Sequence, residues 1–218
     1  MFQPGLFLDF WIRDKMKRIP GIDGLRAIAV SLVLLAHFGL EKFVPGGFGV
    51  TLFYFISGLL ITTLLVDEYE KTGNIAVSQF YIRRLLRLYP ALILAVVFSV
   101  IAYHFFGGVI TVQEVLASIF YYANYFGQIV GFGSHGQTPV GSFHPLSILW
   151  SLAIEEQYYL VFPFVVIPFM KNLKKLLAVF VLVAVFSLLW RFCLQYAGYG
   201  YRIYAATDTR IDSIIFGA

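Results

Sequence analysis

From Phe48 to Val66 the chain runs for 19 residues without a single Asp, Glu, Lys or Arg. A helix needs about 20 residues to cross a hydrocarbon layer, and this run is long enough to do so. It is not alone: Ala91–Phe106 and Leu176–Trp190 are equally free of those residue types. Across all 218 residues only 13% are charged and 60% hydrophobic, with a mean hydropathy of +0.81. A soluble domain carries about 25% charge, so a water-soluble enzyme, a nucleic-acid module and a disordered tail are all poor readings. The net charge of +4 sits in short clusters beside apolar runs, a distribution that orients membrane proteins. The chain reads as an integral membrane protein.

The expected fold is all-α, a polytopic transmembrane helix bundle with five complete spans and the start of another. The spans are expected at about Ile22–Leu40, Phe48–Val66, Ala91–Phe106, Ser147–Met170 and Leu176–Tyr196. Residues 1–19, with Arg13, Lys15, Lys17 and Arg18, form a basic cytoplasmic segment. No small-residue cleavage site follows it, so the first span is read as uncleaved. Residues 20–218 form the membrane domain, and its last residues open a further apolar helix, as in the N-terminal part of a larger domain. Lys and Arg counting places the N-terminus in the cytoplasm, and the expected location is the inner (plasma) membrane, as a multi-pass protein.

A rival topology makes Val112–Phe126 a span as well, and the charge count does not separate the two. That segment holds Gln113, Glu114 and Asn124, so an interfacial or re-entrant helix is the preferred reading. Residues 107–145, with His135 and His144 but no Lys or Arg, then form a long external segment, a lid or a connector. Cys193 is the one cysteine, which rules out an intramolecular disulfide and suggests a small buried hydrophobe.

Polar groups inside a bilayer are costly and mark candidate sites. Arg26 and His37 lie in the first span, eleven residues and close to three helical turns apart, so both project from one face. A histidine there is a satisfied interior group or a general base that works near neutral pH. The fourth span opens with Trp150-Ser151-Leu152-Ala153-Ile154-Glu155-Glu156-Gln157-Tyr158-Tyr159. Its two carboxylates are either favourable charge near a helix start or part of a site. Glu155 is the choice to face the same interior as His37, at similar depth near the outer side.

Two further features stand out. The segment Phe80–Pro90 carries Arg83, Arg84 and Arg87; it is either an amphipathic interfacial helix or a dock for a phosphate-bearing donor. The glycines Gly46, Gly47, Gly49 and Gly58 allow close helix packing, and Ser57 has no base nearby in sequence. No group of metal-ligating residues is expected to act as a metal site.

These features resemble, in order, the motifs of the acyltransferase 3 family of membrane acyltransferases. Arg26 and His37 match its Arg-x10-His pattern, and Gly46, Gly47, Gly49 and Ser57-Gly58 match its glycine-rich entry and Phe-x-x-Ser-Gly pattern, with Tyr54 where Phe is common. Arg84, Arg87 and Pro90 match Arg-x-x-Arg-x-x-Pro, Trp150–Tyr159 match Trp-Ser-Leu-x-x-Glu-x-Gln-aromatic-Tyr, and Thr207–Asp212 match Thr-Asp-Thr-Arg-x-Asp. The likeness covers Ile22 to Ala218, and five motifs in one order make it specific.

The resemblance implies acyl transfer, most often of acetyl, from acetyl-CoA or another acyl-CoA at the cytoplasmic side. The acceptor would be a hydroxyl of a cell-surface carbohydrate or a lipid-linked molecule. It implies that His37 is the catalytic base or a transient acyl carrier, with Arg26 on the same polar path and Glu155 orienting the imidazole or assisting proton transfer. Arg84 and Arg87 would then hold the phosphates of the coenzyme, which is a donor substrate and not a permanently bound cofactor. The bilayer is the remaining partner; nucleic acid is not expected. The alternatives are a transporter with a polar path through Arg26, His37 and Glu155, and a non-catalytic membrane partner.

Overall fold

The computed structural model describes residues 20–132 and 144–218. Arg13, Lys15, Lys17, Arg18 and His135 lie outside the described residues. In hydrocarbon each backbone N–H and C=O must be satisfied within its own segment, which drives apolar runs into helices. The elements are α1 (Ile22–Leu35, continued by a π-helical turn Ala36–Leu40), α2 (Gly46–Thr72), α3 (Val77–Phe105), α4 (Val112–Ile119) and α5 (Ala123–Ile129). They continue with α6 (Trp150–Val166), bracketed by 3-10 turns at Pro145–Leu149 and Ile167–Phe169, α7 (Leu173–Tyr196), α8 (Gly200–Ala205) and α9 (Thr207–Ile215). The described part is all-helical, and five helical segments are long and apolar enough to cross a membrane: Ile22–Leu40, Gly46–Thr72, Val77–Phe105, Pro145–Phe169 and Leu173–Tyr196. The multi-pass bundle read from the sequence is the fold observed. Large apolar side chains such as Leu94, Phe98 and Leu182 stand more than two-thirds exposed, as a lipid-facing belt requires.

The third span departs from expectation. It does not begin at Ala91: α3 starts at Val77 and passes through Pro90 without a break. Arg83, Arg84 and Arg87 therefore belong to the spanning helix itself, not to a separate interfacial one.

The core lies where α2, α6, α7 and α9 meet, around Tyr54, Leu65, Ile154, Phe162, Phe180 and Ile214. Small residues set how closely these helices approach. A Cβ on Gly49 would lie 2.7 Å from the Ala29 carbonyl oxygen, and one on Gly46 would lie 2.5 Å from the Ala36 Cβ, so α1 packs tightly along the first turn of α2. Deeper in α2, a Cβ on Gly58 would fall 1.9 Å from the Ile214 carbonyl oxygen, and one on Gly217 would fall 1.9 Å from that of Phe55. Here α9 and α2 meet backbone to backbone. Cys193 is exposed on α7, contrary to the buried position expected of it, because that side of α7 faces away from the core.

Helices α4 and α5 form a short hairpin that folds into the bundle. Thr111 and Glu114 close a capping box at the start of α4, so Glu114 spends its charge on the helix end. At the tip, the Tyr89 hydroxyl donates to the Ile119 carbonyl (3.0 Å) and Gln157 Nε2 donates to that of Tyr121 (2.6 Å). Tyr89 and Gln157 each stand twelve residues beyond the starts of their spans at Val77 and Pro145, about 18 Å along a helix axis. The hairpin tip thus packs partway along two spanning helices, the placement the re-entrant reading expects. Tyr121 adopts φ 55°, a conformation that costs a bulky residue about 1–3 kcal/mol. The bond from Gln157 and an edge-on contact with the Tyr89 ring at 5.7 Å hold it there.

His144 packs against the start of the hairpin. Its ring is buried against Tyr103 and Phe132, with Nε2 3.4 Å from Glu114 Oε1. Burial pulls the imidazole below its ordinary range, and Glu114 partly opposes this. The folded hairpin therefore holds a neutral His144 that takes up a proton more readily when released. Its docking is strongest above about pH 6.5 and weakens as pH falls.

Two outcomes follow from this packing. Gly58→Ala lowers the melting temperature of the membrane-inserted protein, at an overpacking cost of about 1–3 kcal/mol. Gly47→Ala, whose new Cβ meets nothing closer than 3.6 Å, leaves it unchanged. Amide exchange over Val112–Ile129 is faster at pH 5.5 than at pH 7.5, and His144→Gln removes that difference.

Candidate functional site

A polar network forms partway along α2 and α6, around one carboxylate oxygen. The Ser57 hydroxyl donates to Glu155 Oε1 from α2. The Tyr159 hydroxyl donates to the same oxygen at 2.6 Å from one turn farther along α6. Arg84 reaches in from α3, with Nη2 3.5 Å from Glu155 Oε1 and Nε 3.1 Å from Glu156 Oε1. Its guanidinium lies over the Tyr159 ring, 3.0 Å from the centroid. The Arg84 side chain is 20% exposed, that of Glu155 22% and that of Glu156 13%. One guanidinium therefore serves two largely buried carboxylates, and removing it would leave both unpaired at a cost of about 3–5 kcal/mol.

A second set of bonds continues from the neighbouring face of α6. Gln157 Nε2 donates to Asn124 Oδ1 (3.0 Å), Asn124 Nδ2 donates to Thr207 Oγ1 (3.0 Å), and the Thr207 hydroxyl donates back to Gln157 Oε1. This ring ties the hairpin, α6 and the start of α9 together. The rest of the Thr207–Asp212 motif builds the corner before α9. Asp208 accepts from Trp190 Nε1 and Arg202 Nη2, each at 2.7 Å, the one proton of the Thr209 hydroxyl is shared among the carbonyls of Arg202, Ile203 and Ala206, and Asp212 pairs with Arg191.

The residues singled out from the sequence divide between two levels. Glu155 and Arg84, expected on opposite sides of the membrane, are in contact. Arg87 lies exposed on α3 and makes no ion pair among the described residues. His37 is exposed in the π-helical turn, with Nδ1 2.7 Å from the Val33 carbonyl oxygen. Arg26 is paired with Asp23 at 3.7 Å and is 39% exposed. Both lie on the outer surface of the described bundle, which does not enclose the shared interior expected for them.

The similar depth expected for His37 and Glu155 is corrected as well. His37 adjoins Ala36, which packs on Gly46, whereas Glu155 bonds Ser57, eleven residues deeper on the same helix. The offset is about 16 Å along the axis, and the bonds of Glu155 among the described residues run to Ser57, Tyr159 and Arg84. The roles of Ser57, Asn124 and Thr207 are invisible in the sequence, since their partners lie 98, 83 and 50 positions away in the chain. Tyr54, standing where Phe is common, uses its hydroxyl to donate to the Ser151 carbonyl at 3.1 Å. Among the described residues no cluster of His, Cys, Asp and Glu is placed to hold a metal.

Comparison with known proteins bears on what this arrangement is for. Residues 19–217 match the family described as Acyltransferase domain. The chain is 40% identical, over 93% of its length, to a protein of Staphylococcus aureus strain COL, of which it covers 34%. It is 38% identical to the peptidoglycan O-acetyltransferase OatA of Listeria monocytogenes, over 94% of this chain and 34% of that protein. It is 34% identical to the O-acetyltransferase OatA of Staphylococcus aureus strain NCTC 8325, over 96% of this chain and 36% of that protein. The chain spans about a third of the length of these relatives. No solved structure matches. With the family matched from end to end of the described bundle, and its motifs building the polar centre and the α2–α9 contact, the chain belongs to the acyltransferase 3 family of integral membrane proteins.

Proposed function

We propose that this chain is the membrane part of an O-acyltransferase that moves an acyl group, acetyl in the first instance, from a coenzyme A thioester to a hydroxyl of a cell-envelope carbohydrate or lipid-linked acceptor. The observation that carries this reading is the 34–38% identity, over nearly the whole chain, to two proteins named as O-acetyltransferases, one of them a peptidoglycan O-acetyltransferase. The Lys and Arg distribution supports a plasma-membrane protein with a cytoplasmic N-terminus. The start of α3 then faces the cytosol and His37 lies toward the outside.

The chemistry needs few parts. The acceptor oxygen attacks the thioester carbonyl, an O–C bond forms, the C–S bond breaks, and the thiolate leaves to take up a proton. His37, at the outer end of α1, is the base that receives the acceptor's proton, and Arg26 lies on the same helix face. Glu155 works at half depth, where it helps to pass the proton inward. The two arginines take different parts. Arg87, exposed and without an ion pair among the described residues, meets the donor's phosphates, whereas Arg84 is committed to the two carboxylates.

The test uses inside-out membrane vesicles holding the full-length gene product and its native acceptors, supplied with radiolabelled acetyl-CoA and read as base-labile acetate. His37→Ala lowers transfer about a hundredfold or more with insertion unchanged; normal turnover would remove His37 from the mechanism. Arg87→Ala raises the KM for acetyl-CoA about tenfold and leaves kcat near normal, while an unchanged KM would return Arg87 to a topological role. Wild-type vesicles that form no base-labile ester would overturn the reading as a whole.

A further inference from the structure

Polar side chains in the middle of a helix ordinarily satisfy themselves on their own backbone, through the carbonyl four residues earlier. Helix α2 does this on both sides of its midpoint. The Thr51 hydroxyl donates to the Gly47 carbonyl at 3.1 Å and that of Thr63 to the Leu59 carbonyl at 2.7 Å. Ser57 does not. Its hydroxyl crosses to α6 and donates to Glu155 Oε1. The rotation of α2 that aims it there is set one residue later, where Gly58 meets the Ile214 carbonyl with no room for a side chain.

The same oxygen also receives the Tyr159 hydroxyl and is approached by Arg84 Nη2. Three donors thus converge on Oε1, and Oε2 has no partner among the described residues. The Glu155 side chain is 22% exposed, so Oε2 is not sealed in the core. A carboxylate oxygen loaded with three donors is a poor proton acceptor, so Ser57 is held by it and not activated as a nucleophile. The other oxygen of the same group keeps its lone pairs.

We propose that Ser57 is a positioning residue of the transfer site: together with Tyr159 and Arg84 it pins Oε1 of Glu155 and so presents Oε2 as the oxygen that accepts and returns protons during transfer. This rests on the reading above that Glu155 takes part in proton transfer. It gives the Ser-Gly pair of α2 two separate duties, with Gly58 setting the helix contact and Ser57 the rotamer of a carboxylate on another helix.

The experiment compares Ser57→Ala, Ser57→Thr, Glu155→Gln and the Ser57→Ala/Glu155→Gln double variant of the full-length protein in the same vesicles, per amount of inserted protein. Ser57→Ala lowers kcat about ten- to hundredfold, as misplacement of a reacting group does, and leaves the KM for acetyl-CoA unchanged. Ser57→Thr keeps the hydroxyl and recovers most of the rate. In the double variant the serine change adds little to the loss from Glu155→Gln. Wild-type turnover in Glu155→Gln sinks the role of Glu155 and this proposal with it. Wild-type kcat in Ser57→Ala beside an inactive Glu155→Gln sinks the positioning role alone. An acetyl ester found on Ser57 by mass spectrometry, a threonine variant as slow as the alanine one, or a deficit confined to the amount inserted each overturns it too.

Discussion

One guanidinium bonded to two carboxylates halfway along a membrane bundle is the constraint on which the rest of this structure depends. Charges at such depth stay only when paired and hydrogen-bonded. Arg84 meets that requirement by bridging Glu155 and Glu156, with a tyrosine ring beneath it and two hydroxyls sharing the load on Glu155. The groups come from α2, α3 and α6, so the electrostatic requirement also fixes how those helices stand against each other. In lipid, where burying more leucine gains little, such bonds and close small-residue packing are what hold helices together.

The backbone contact between α2 and α9 supplies the complementary half. Gly58 and Gly217 let two carbonyl-bearing turns approach closely enough that any side chain would collide. Most of the Thr207–Asp212 motif is spent on setting up that approach, through the bonds of Asp208, Thr209 and Asp212 to α7 and α8. Several residues that look catalytic by type are thereby engaged in architecture. In the proposed transfer the residues that remain for chemistry are few: Glu155 at half depth, His37 at one end of α1, and Arg87 on the open side of α3.

The re-entrant hairpin shows how polar residues can sit at depth without spanning. Glu114 is consumed by the cap of α4, and Asn124 by the ring with Gln157 and Thr207. The strained Tyr121 at the tip is held by a hydrogen bond from one spanning helix and a ring contact from another. A transmembrane helix through Val112–Phe126 would have carried those side chains into lipid unpaired.

The sequence alone determined the helical, multi-pass character of the chain, because the absence of charge over nineteen residues at Phe48–Val66 leaves a membrane helix as the natural place for them. It also points to the motif residues, and the shortness of Val112–Phe126 together with Gln113, Glu114 and Asn124 favours an interfacial or re-entrant segment over a sixth span. The start of α3 is not legible locally, since Arg83, Arg84 and Pro90 are ordinary stop signals and nothing local says that a carboxylate 71 positions later will neutralise Arg84. Tertiary structure decided the partnerships: Ser57 with Glu155, Arg84 with both carboxylates, Gln157 with Thr207. It also set His37 and Glu155 on different levels. The physical reason is that periodicity fixes which face a side chain shares with its own helix, while depth and pairing between helices follow from where small residues let two backbones touch.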